Sequence, residues 1–125
     1  MKVTKGMEYR LLTNKMTAKD ALKYSIILWK WLAKSGAKEK ALCDIFDVSD
    51  MSADCALCEY VAQKHDNKCK KCPMYGQWLS KDGECGSFQE STVYEKWDYA
   101  ENVVDRKFYA RMMYYMLKRR YKEIK

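Results

Sequence analysis

Proline, glycine and histidine are all scarce in this chain of 125 residues, which has one proline, five glycines and one histidine. So few turn-forming residues exclude collagen-like repeats and disfavour turn-rich all-β architectures. The content of 48% hydrophobic and 33% charged residues disfavours intrinsic disorder. We therefore expect a mainly α-helical fold, with about four to five helices in one small domain.

Long apolar segments are absent as well. The longest one, residues 26–32, is interrupted by Lys30 and is far shorter than the ~20 residues that span a membrane. The residues that follow Met1 are rich in charge and contain no apolar core of a secretory signal. We therefore expect a cytoplasmic protein with no membrane partner.

The net charge of +7 is distributed unevenly along the chain. Residues 1–50 contain ten basic and six acidic groups, residues 51–90 contain five and six, and residues 91–125 contain nine and five. The basic surplus thus lies in the two flanks. A positive surface favours anionic partners such as nucleic acid, nucleotides or acidic protein faces, although net charge does not specify a fold.

The clearest predicted helix covers residues 18–34. Thr17 is typical of an N-cap, Asp20 occupies the third helical position, and Ser35-Gly36 is typical of a helix end. At about 100° per residue, a broad apolar arc lies opposite a narrow lysine stripe. The arc comprises Ala21, Leu22, Tyr24, Leu28, Trp29, Trp31, Leu32 and Ala33, and the stripe comprises Lys19, Lys23, Lys30 and Lys34.

Shorter elements have weaker signals. Residues 37–46 have the pattern of a short helix that carries Leu42, Cys43 and Phe46 into the core, and residues 47–50 predict a turn.

A third helix is predicted to start at Ser52, whose hydroxyl would cap it, and to end near residue 64. The polar stretch that follows, residues 64–85, has no sustained periodicity and needs another source of order. Residues 7–12 have the pattern of a short strand.

The C-terminal part has the strongest helical periodicity. Residues 94–97 predict one turn of helix, and Asn102 with Asp105 predicts the cap of a long helix over residues 103–122. Its apolar seam is predicted at Val104, Phe108, Met112, Tyr115 and Met116. A predicted anion-binding group lies on a neighbouring face, at Lys107, Arg111, Lys118 and Lys122.

Two C-x-x-C pairs form the most specific motif. Cys55 and Cys58 make the first pair, Cys69 and Cys72 make the second after ten residues, and Cys85 follows after twelve more. Four thiolates complete the tetrahedral shell that structural zinc prefers, and a reducing compartment disfavours disulfides. We predict that these cysteines bind one zinc ion in a helix-loop module, and that the ion orders the polar stretch.

Alternatives stay open for this motif. Cys85 can replace any one of the other four ligands or remain a free thiol. Iron–sulfur ligation also takes four thiolates, and Cys72-Pro73 resembles the end of ferredoxin-type motifs, although their compact C-x2-C-x2-C spacing is absent. A redox-active C-x-x-C motif of the thioredoxin type occurs near a βαβ unit, and the elements predicted for this chain include no such unit. His65 lies within reach of the motif, but we interpret it as a polar residue at a helix end.

The order of these motifs resembles that of a group of small uncharacterised bacteriophage proteins. The shared features are a tryptophan-bearing helix, a C-x-L-C-E-Y motif, a C-x-x-C-P motif, a further cysteine and a Y-x-x-W pair. In this chain they are Leu28-Trp-Lys-Trp-Leu-Ala, Cys55-Ala-Leu-Cys-Glu-Tyr, Cys69-Lys-Lys-Cys-Pro-Met, Trp78, Cys85 and Tyr94-Glu-Lys-Trp. The resemblance implies a phage accessory protein that acts in the host cytoplasm, a class rich in host-takeover and counter-defence factors, but it implies no specific activity.

We interpret the chain as a non-enzymatic binding protein with a structural zinc site, which engages a nucleotide, a nucleic acid or a host protein. An iron–sulfur redox or sensor protein is one alternative. A small metal-dependent enzyme is another, although the chain has no phosphate loop, nucleophile elbow or H-E-x-x-H motif. The predicted parts of the single domain are an N-terminal arm (1–16), a helical part (17–50), a metal-binding module (51–90) and a C-terminal basic helix (91–125). No oligomeric state is predicted.

Overall fold

A computed structural model describes residues 1–49, 51–78, 80, 82–86 and 92–124. Across these residues it contains five α-helices and no strand, which confirms the mainly α class. The helices are α1 (Lys5–Leu12), α2 (Ala18–Ser35), α3 (Ala56–Lys64), α4 (Val93–Asp98) and α5 (Val103–Glu123). Three short 3₁₀ turns lie at Lys40–Leu42, Ser52–Asp54 and Cys69–Lys71.

Helix α2 lies at the centre of the fold and confirms the predicted N-terminal capping box. The Asp20 amide donates to the Thr17 hydroxyl, and the Thr17 amide donates to the Asp20 carboxylate, both over 3.1 Å. Gly36 ends the helix with a φ of 70°, a left-handed conformation that glycine adopts without strain. Most of the circumference of α2 is buried, and the helix packs against α3 and α5.

The predicted apolar seam of α5 is wrong. Val104, Phe108, Met112 and Tyr115 are exposed, and Met116 is half-buried. The buried face is formed instead by Arg106, Ala110, Met113 and Leu117.

An arginine on the buried face explains the error. The Arg106 side chain is buried because its Nε donates to the Gly36 carbonyl over 2.8 Å, which satisfies an acceptor at the end of α2. The helix therefore has two apolar stripes, and the stripe that packs on α2 is the one interrupted by a charge. The hydrogen bond spans 70 residues, so no local pattern announces it.

The predicted strand over residues 7–12 is also wrong, since these residues belong to α1. The Thr4 hydroxyl accepts a hydrogen bond from the Met7 amide over 3.2 Å and caps the helix. Met7 is buried, and Arg10 makes two hydrogen bonds to Asp20 at the start of α2. The short apolar pattern of residues 7–12 suits a strand or a helix. The N-cap and this ion pair stabilise the helix.

Residues 37–46 do not form the predicted helix and contain only the turn at Lys40–Leu42. Glu39 makes no capping hydrogen bond there, and Leu42 is exposed. Cys43 is buried as predicted, and the ring of Phe46 packs edge-on against Tyr24 with centroids 5.1 Å apart.

The predicted turn at residues 47–50 and the start of the third helix also differ from expectation in part. The Asp47 carboxylate accepts a hydrogen bond from the Ser49 amide over 2.8 Å, as in an Asx turn, and Asp50 lies outside the described residues. The Ser52 hydroxyl makes no cap. Helix α3 starts at Ala56 because Ala53 and Asp54 have φ values of 54° and 51°, which are incompatible with a right-handed helix.

Candidate metal centre

The five cysteines of the predicted zinc site line one cavity of about 260 Å³ between α2, α3, α4 and the loop that connects α3 to α4. They are Cys55, Cys58, Cys69, Cys72 and Cys85. The sixth cysteine, Cys43, is buried elsewhere in the core. The fold therefore gathers the predicted ligands around one space, although 30 residues separate the first from the last.

Local structure explains how each cysteine reaches the cavity. Cys55 is the N-cap of α3 and Cys58 lies in its first turn, whereas Cys69 begins a 3₁₀ turn and Cys72 follows its last residue. The Thr92 hydroxyl, which caps α4, donates to the Cys85 carbonyl and holds that residue beside the start of α4.

Buried anchors hold the connecting loop against the helices. Met74 and Trp78 belong to the core, and Arg120 of α5 donates from Nε to the Pro73 carbonyl over 2.8 Å. Gly83, with a φ of 75°, closes the following turn, and its carbonyl accepts a hydrogen bond from the Gly76 amide over 2.9 Å. The loop thus approaches α3 at a fixed place, which explains why the second cysteine pair faces the first.

Cys55 and Cys58 both lie at the start of α3, and each affects the pKa of the other. Hydrogen bonding with the Cys58 thiol lowers the pKa of Cys55 against the effect of burial, and the Lys40 charge and the Leu57 and Cys58 amides lower it further. The same hydrogen bonding and burial raise the pKa of Cys58. Within the first pair, Cys55 at the helix N-terminus is therefore the thiol that ionises more readily.

The other three thiols hold their protons more firmly. Burial raises the pKa of Cys72 to about 12 and that of Cys85 to about 11. A hydrogen bond with Glu84 raises the pKa of Cys69, which is exposed. A cation that binds these sulfurs has to displace protons, because the thiolate is the metal ligand.

Lys40 is a cation at this site that sequence reasoning missed. Its Nζ donates to the Tyr94 hydroxyl and to the Ala53 carbonyl, each over 3.0 Å, and it lies 5.0 Å from the centroid of the Tyr94 ring. Burial lowers the pKa of Lys40, but Tyr94 and the Cys55 thiol outweigh that effect and raise it. Sequence alone does not distinguish Lys40 from the other lysines of this segment.

Lys68, Lys70 and Lys71 lie beside the second cysteine pair in sequence but do not line the cavity. Those three lysines are exposed, and within the described residues Lys40 is the one basic side chain on the cavity wall. A positive charge at this place opposes the negative charge that several thiolates would concentrate in the cavity.

The donor types suit a soft divalent metal, but their side chains are not arranged as a ready shell. Among the described residues, no group of three or more Cys, His, Asp or Glu side chains is placed to hold one ion. Metal binding would therefore require these side chains to turn into the cavity they already line.

His65 lies apart from the cavity. Its Nε2 is 3.3 Å from the Tyr60 hydroxyl, and the two rings pack edge-on with centroids 5.3 Å apart. The residue follows the last turn of α3 and does not belong to the cavity wall.

The predicted anion-binding group on α5 is divided in the structure. Arg111 and Lys122 are exposed and Lys107 is half-buried, whereas Lys118 lines a second cavity of about 760 Å³ between α2, α5 and the N-terminal arm. We call this second cavity the basic cleft. Its basic and aromatic lining comprises Lys2, Lys30, Lys34, Lys118, Trp31 and Tyr114.

Charge in the basic cleft is nearly all of one sign. Glu8 is the single acidic side chain among its described lining residues. Lys118 Nζ lies 5.2 Å from the centroid of the Tyr114 ring, a cation–π contact that holds the charge at the cleft. Lys30 and Lys34 come from the predicted lysine stripe of α2, so the fold joins part of each predicted basic face.

Within the described residues, no helix combines the length and apolar character needed to cross a membrane. A comparison of the chain with known protein families, with curated proteins and with solved structures finds no match.

Proposed function

We propose that this chain is a non-enzymatic binding protein whose middle segment is held in place by one zinc ion, bound to four of Cys55, Cys58, Cys69, Cys72 and Cys85. The convergence of all five cysteines on one cavity carries the proposal. The segment between α3 and α4 contains only a short 3₁₀ turn among its described residues, so a metal would supply order that regular structure does not.

Zinc suits the site better than the two alternatives. Catalytic zinc usually keeps an open position and mixes nitrogen or oxygen ligands with sulfur, whereas His65 lies outside this cavity. An iron–sulfur cluster also accepts four thiolates but is typically served by a more compact cysteine motif. The spacing and the apolar wall favour a structural zinc ion.

Elemental analysis of the chain, purified without chelators, tests this proposal directly. We expect one zinc per chain, with release of zinc when the cysteines are modified by a mercurial reagent. Iron and sulfide in the sample, together with visible absorption, would show that the site holds an iron–sulfur cluster and not zinc. A metal-free chain with intact thiols would contradict both forms of metal centre.

The proposed partner is a ligand that combines phosphate with a nucleobase, either a nucleotide or single-stranded nucleic acid. Lys30, Lys34 and Lys118 offer cations to phosphate at the basic cleft. Trp31 and Tyr114 offer aromatic surface among these cations, and such an arrangement suits base stacking.

Charge reversal in the basic cleft tests that partner. The double substitution Lys30→Glu and Lys34→Glu should weaken binding of a labelled oligonucleotide about tenfold or more and reduce the salt dependence of its affinity. Fluorescence polarisation at several salt concentrations measures both quantities. Lys64→Glu with Lys96→Glu is the matched control, because it changes the net charge equally at exposed sites outside the cleft. Equal affinity in the two variants would discard the basic cleft as the binding site.

The resemblance to phage proteins supports a role as an accessory factor in the host cytoplasm, with counter-defence as its purpose. Sequestration of a host nucleotide signal would meet that purpose without turnover. Isothermal titration against cyclic nucleotides should then show binding with no product. A host protein captured from lysate, with no nucleotide bound, would favour the protein partner instead.

A further inference from the structure

The outer face of α5 exposes an apolar stripe whose two rings, Phe108 and Tyr115, contact only the neighbouring rings of Tyr109 and Tyr114 among the aromatic contacts of the described residues. Val104, Phe108, Met112 and Tyr115 are 76%, 55%, 38% and 60% exposed. Their spacing of four, four and three residues places them on one face of the helix. Single exposed apolar residues are ordinary, but four in line on one helix form a surface suited to a partner. We call this surface the outer stripe.

Charge at the two ends of the outer stripe is opposite in sign. Glu101 lies just before Asn102, the N-cap of α5. Arg119 follows Tyr115 by four residues, and Lys122 follows by seven, so both continue the same face. Glu101, Arg119 and Lys122 are exposed. The outer stripe therefore follows an acidic residue and is followed by two basic ones, of which Arg119 also pairs with Glu123 over 3.5 Å.

This order is self-complementary only when two copies run in opposite directions. A two-fold axis between residues 111 and 112 places Phe108 opposite Tyr115 of a second copy and brings the start of each helix, which follows Glu101, close to the Lys122 end of the other. A parallel pair would place like charges together at both ends, which is destabilising. A two-fold axis requires one surface to match itself, and this stripe does.

We propose that the chain forms a homodimer through antiparallel pairing of α5 along the outer stripe. The helix has 21 residues and is therefore about 30 Å long, enough for several turns of side-chain packing. The interface lies on the face of α5 opposite Ala110 and Leu117, which pack into the core of each copy. Dimer formation therefore leaves each core unchanged and does not depend on the proposed zinc site.

Sedimentation velocity with reductant present tests the dimer without interference from disulfides. The unmodified chain should change from monomer to dimer between about 1 and 200 µM. Phe108→Glu should keep the chain monomeric over that range, with unchanged metal content and helical circular dichroism. Tyr9→Glu is the matched control. Tyr9 is 61% exposed and lies on α1, not on the outer stripe, so this variant should dimerise as the unmodified chain does.

Charge exchange identifies the second copy as the occupant. Glu101→Lys alone and Lys122→Glu alone should each weaken the dimer several-fold, whereas the double variant should restore it, because its charges again oppose across the two-fold axis. A chain that stays monomeric at the highest concentration overturns the proposal. A dimer that persists in the Phe108→Glu variant also overturns it. The same holds if Phe108→Glu leaves the dimer unchanged and reduces only the binding of a different protein.

Discussion

Replacing Cys58 or Cys72 with serine should release residues 52–86 from the fold while α2 and α5 remain paired. In a structural zinc site the energy of ligation is part of the energy of folding, so the loss of one ligand should cost on the order of 3 kcal/mol or more. The melting temperature should fall by roughly 10 °C for a chain of this size. Hydrogen exchange should accelerate in α3 and in the following loop, and the zinc content should fall with it.

The packing of α2 against α5 should remain intact in these variants. Leu22, Leu32 and Leu117 are fully buried and lie away from the cysteine cavity. Their packing does not depend on an ion, so the exchange of α2 and α5 amides should change little.

Cys43→Ser is the matched control for this experiment. Cys43 is buried but lies outside the cavity wall, so its replacement introduces the same hydroxyl into the core without touching a proposed ligand. It should cost about 1 kcal/mol and leave the zinc content intact. A double variant with both Cys58→Ser and Cys72→Ser leaves only three of the five cavity cysteines, so unchanged melting and exchange in that variant would contradict the zinc site.

The features that sequence predicted correctly are those encoded by neighbouring residues. Thr17, Asp20 and Gly36 mark the ends of α2 through capping rules that operate within a few positions. The paired spacing of the cysteines likewise constrains each pair locally, and the fold brings the pairs to one cavity.

The features that sequence missed depend on contacts between distant parts of the chain. Arg106 is buried because the Gly36 carbonyl accepts its hydrogen bond. The buried face of α5 is therefore the one that contains Arg106, and the face that sequence predicted to be buried is exposed. Lys40 enters the cysteine cavity only because Tyr94 and Ala53 accept hydrogen bonds from it. Segment 7–12 is helical because α2 offers Asp20 to Arg10. No periodicity in a short window reports these partners.

The positions of the outer stripe and of the basic cleft also follow from the way α5 is turned toward the core. With Arg106 on the inner side, Phe108 and Tyr115 become outer residues, whereas Lys118 turns toward the basic cleft. Ligand binding and dimer formation would then use different sides of one helix. Each can be abolished without the other, which makes the oligonucleotide and sedimentation experiments independent.

Asp20→Asn should destabilise the chain by about 2 kcal/mol, because one buried carboxylate serves both α1 and α2. It is 3% exposed and accepts hydrogen bonds from Arg10 Nε over 2.6 Å, from Arg10 Nη2 over 2.8 Å and from the Thr17 amide over 3.1 Å. Asparagine keeps the size but offers one acceptor and no charge. Arg10 is partly exposed and stays hydrated, so the cost remains below that of an isolated buried charge. Urea denaturation at neutral pH measures the difference.

The same carboxylate should give the chain an acid-sensitive component of stability. Burial raises the pKa of Asp20, but the hydrogen bonds from Arg10 and Thr17 outweigh burial and hold the pKa below its ordinary value of 3.8. A lowered pKa in the folded state stabilises the fold above pH 3.8, and this contribution is lost as the pH falls through the folded value. The stability of the Asp20→Asn variant should therefore converge with that of the unmodified chain in acid. Asp105→Asn, at an exposed helix start, is the control and should change stability by only about 0.5 kcal/mol. A constant difference between Asp20→Asn and the unmodified chain down to acid pH would show that the carboxylate charge contributes nothing, and that the capping hydrogen bonds alone account for the loss.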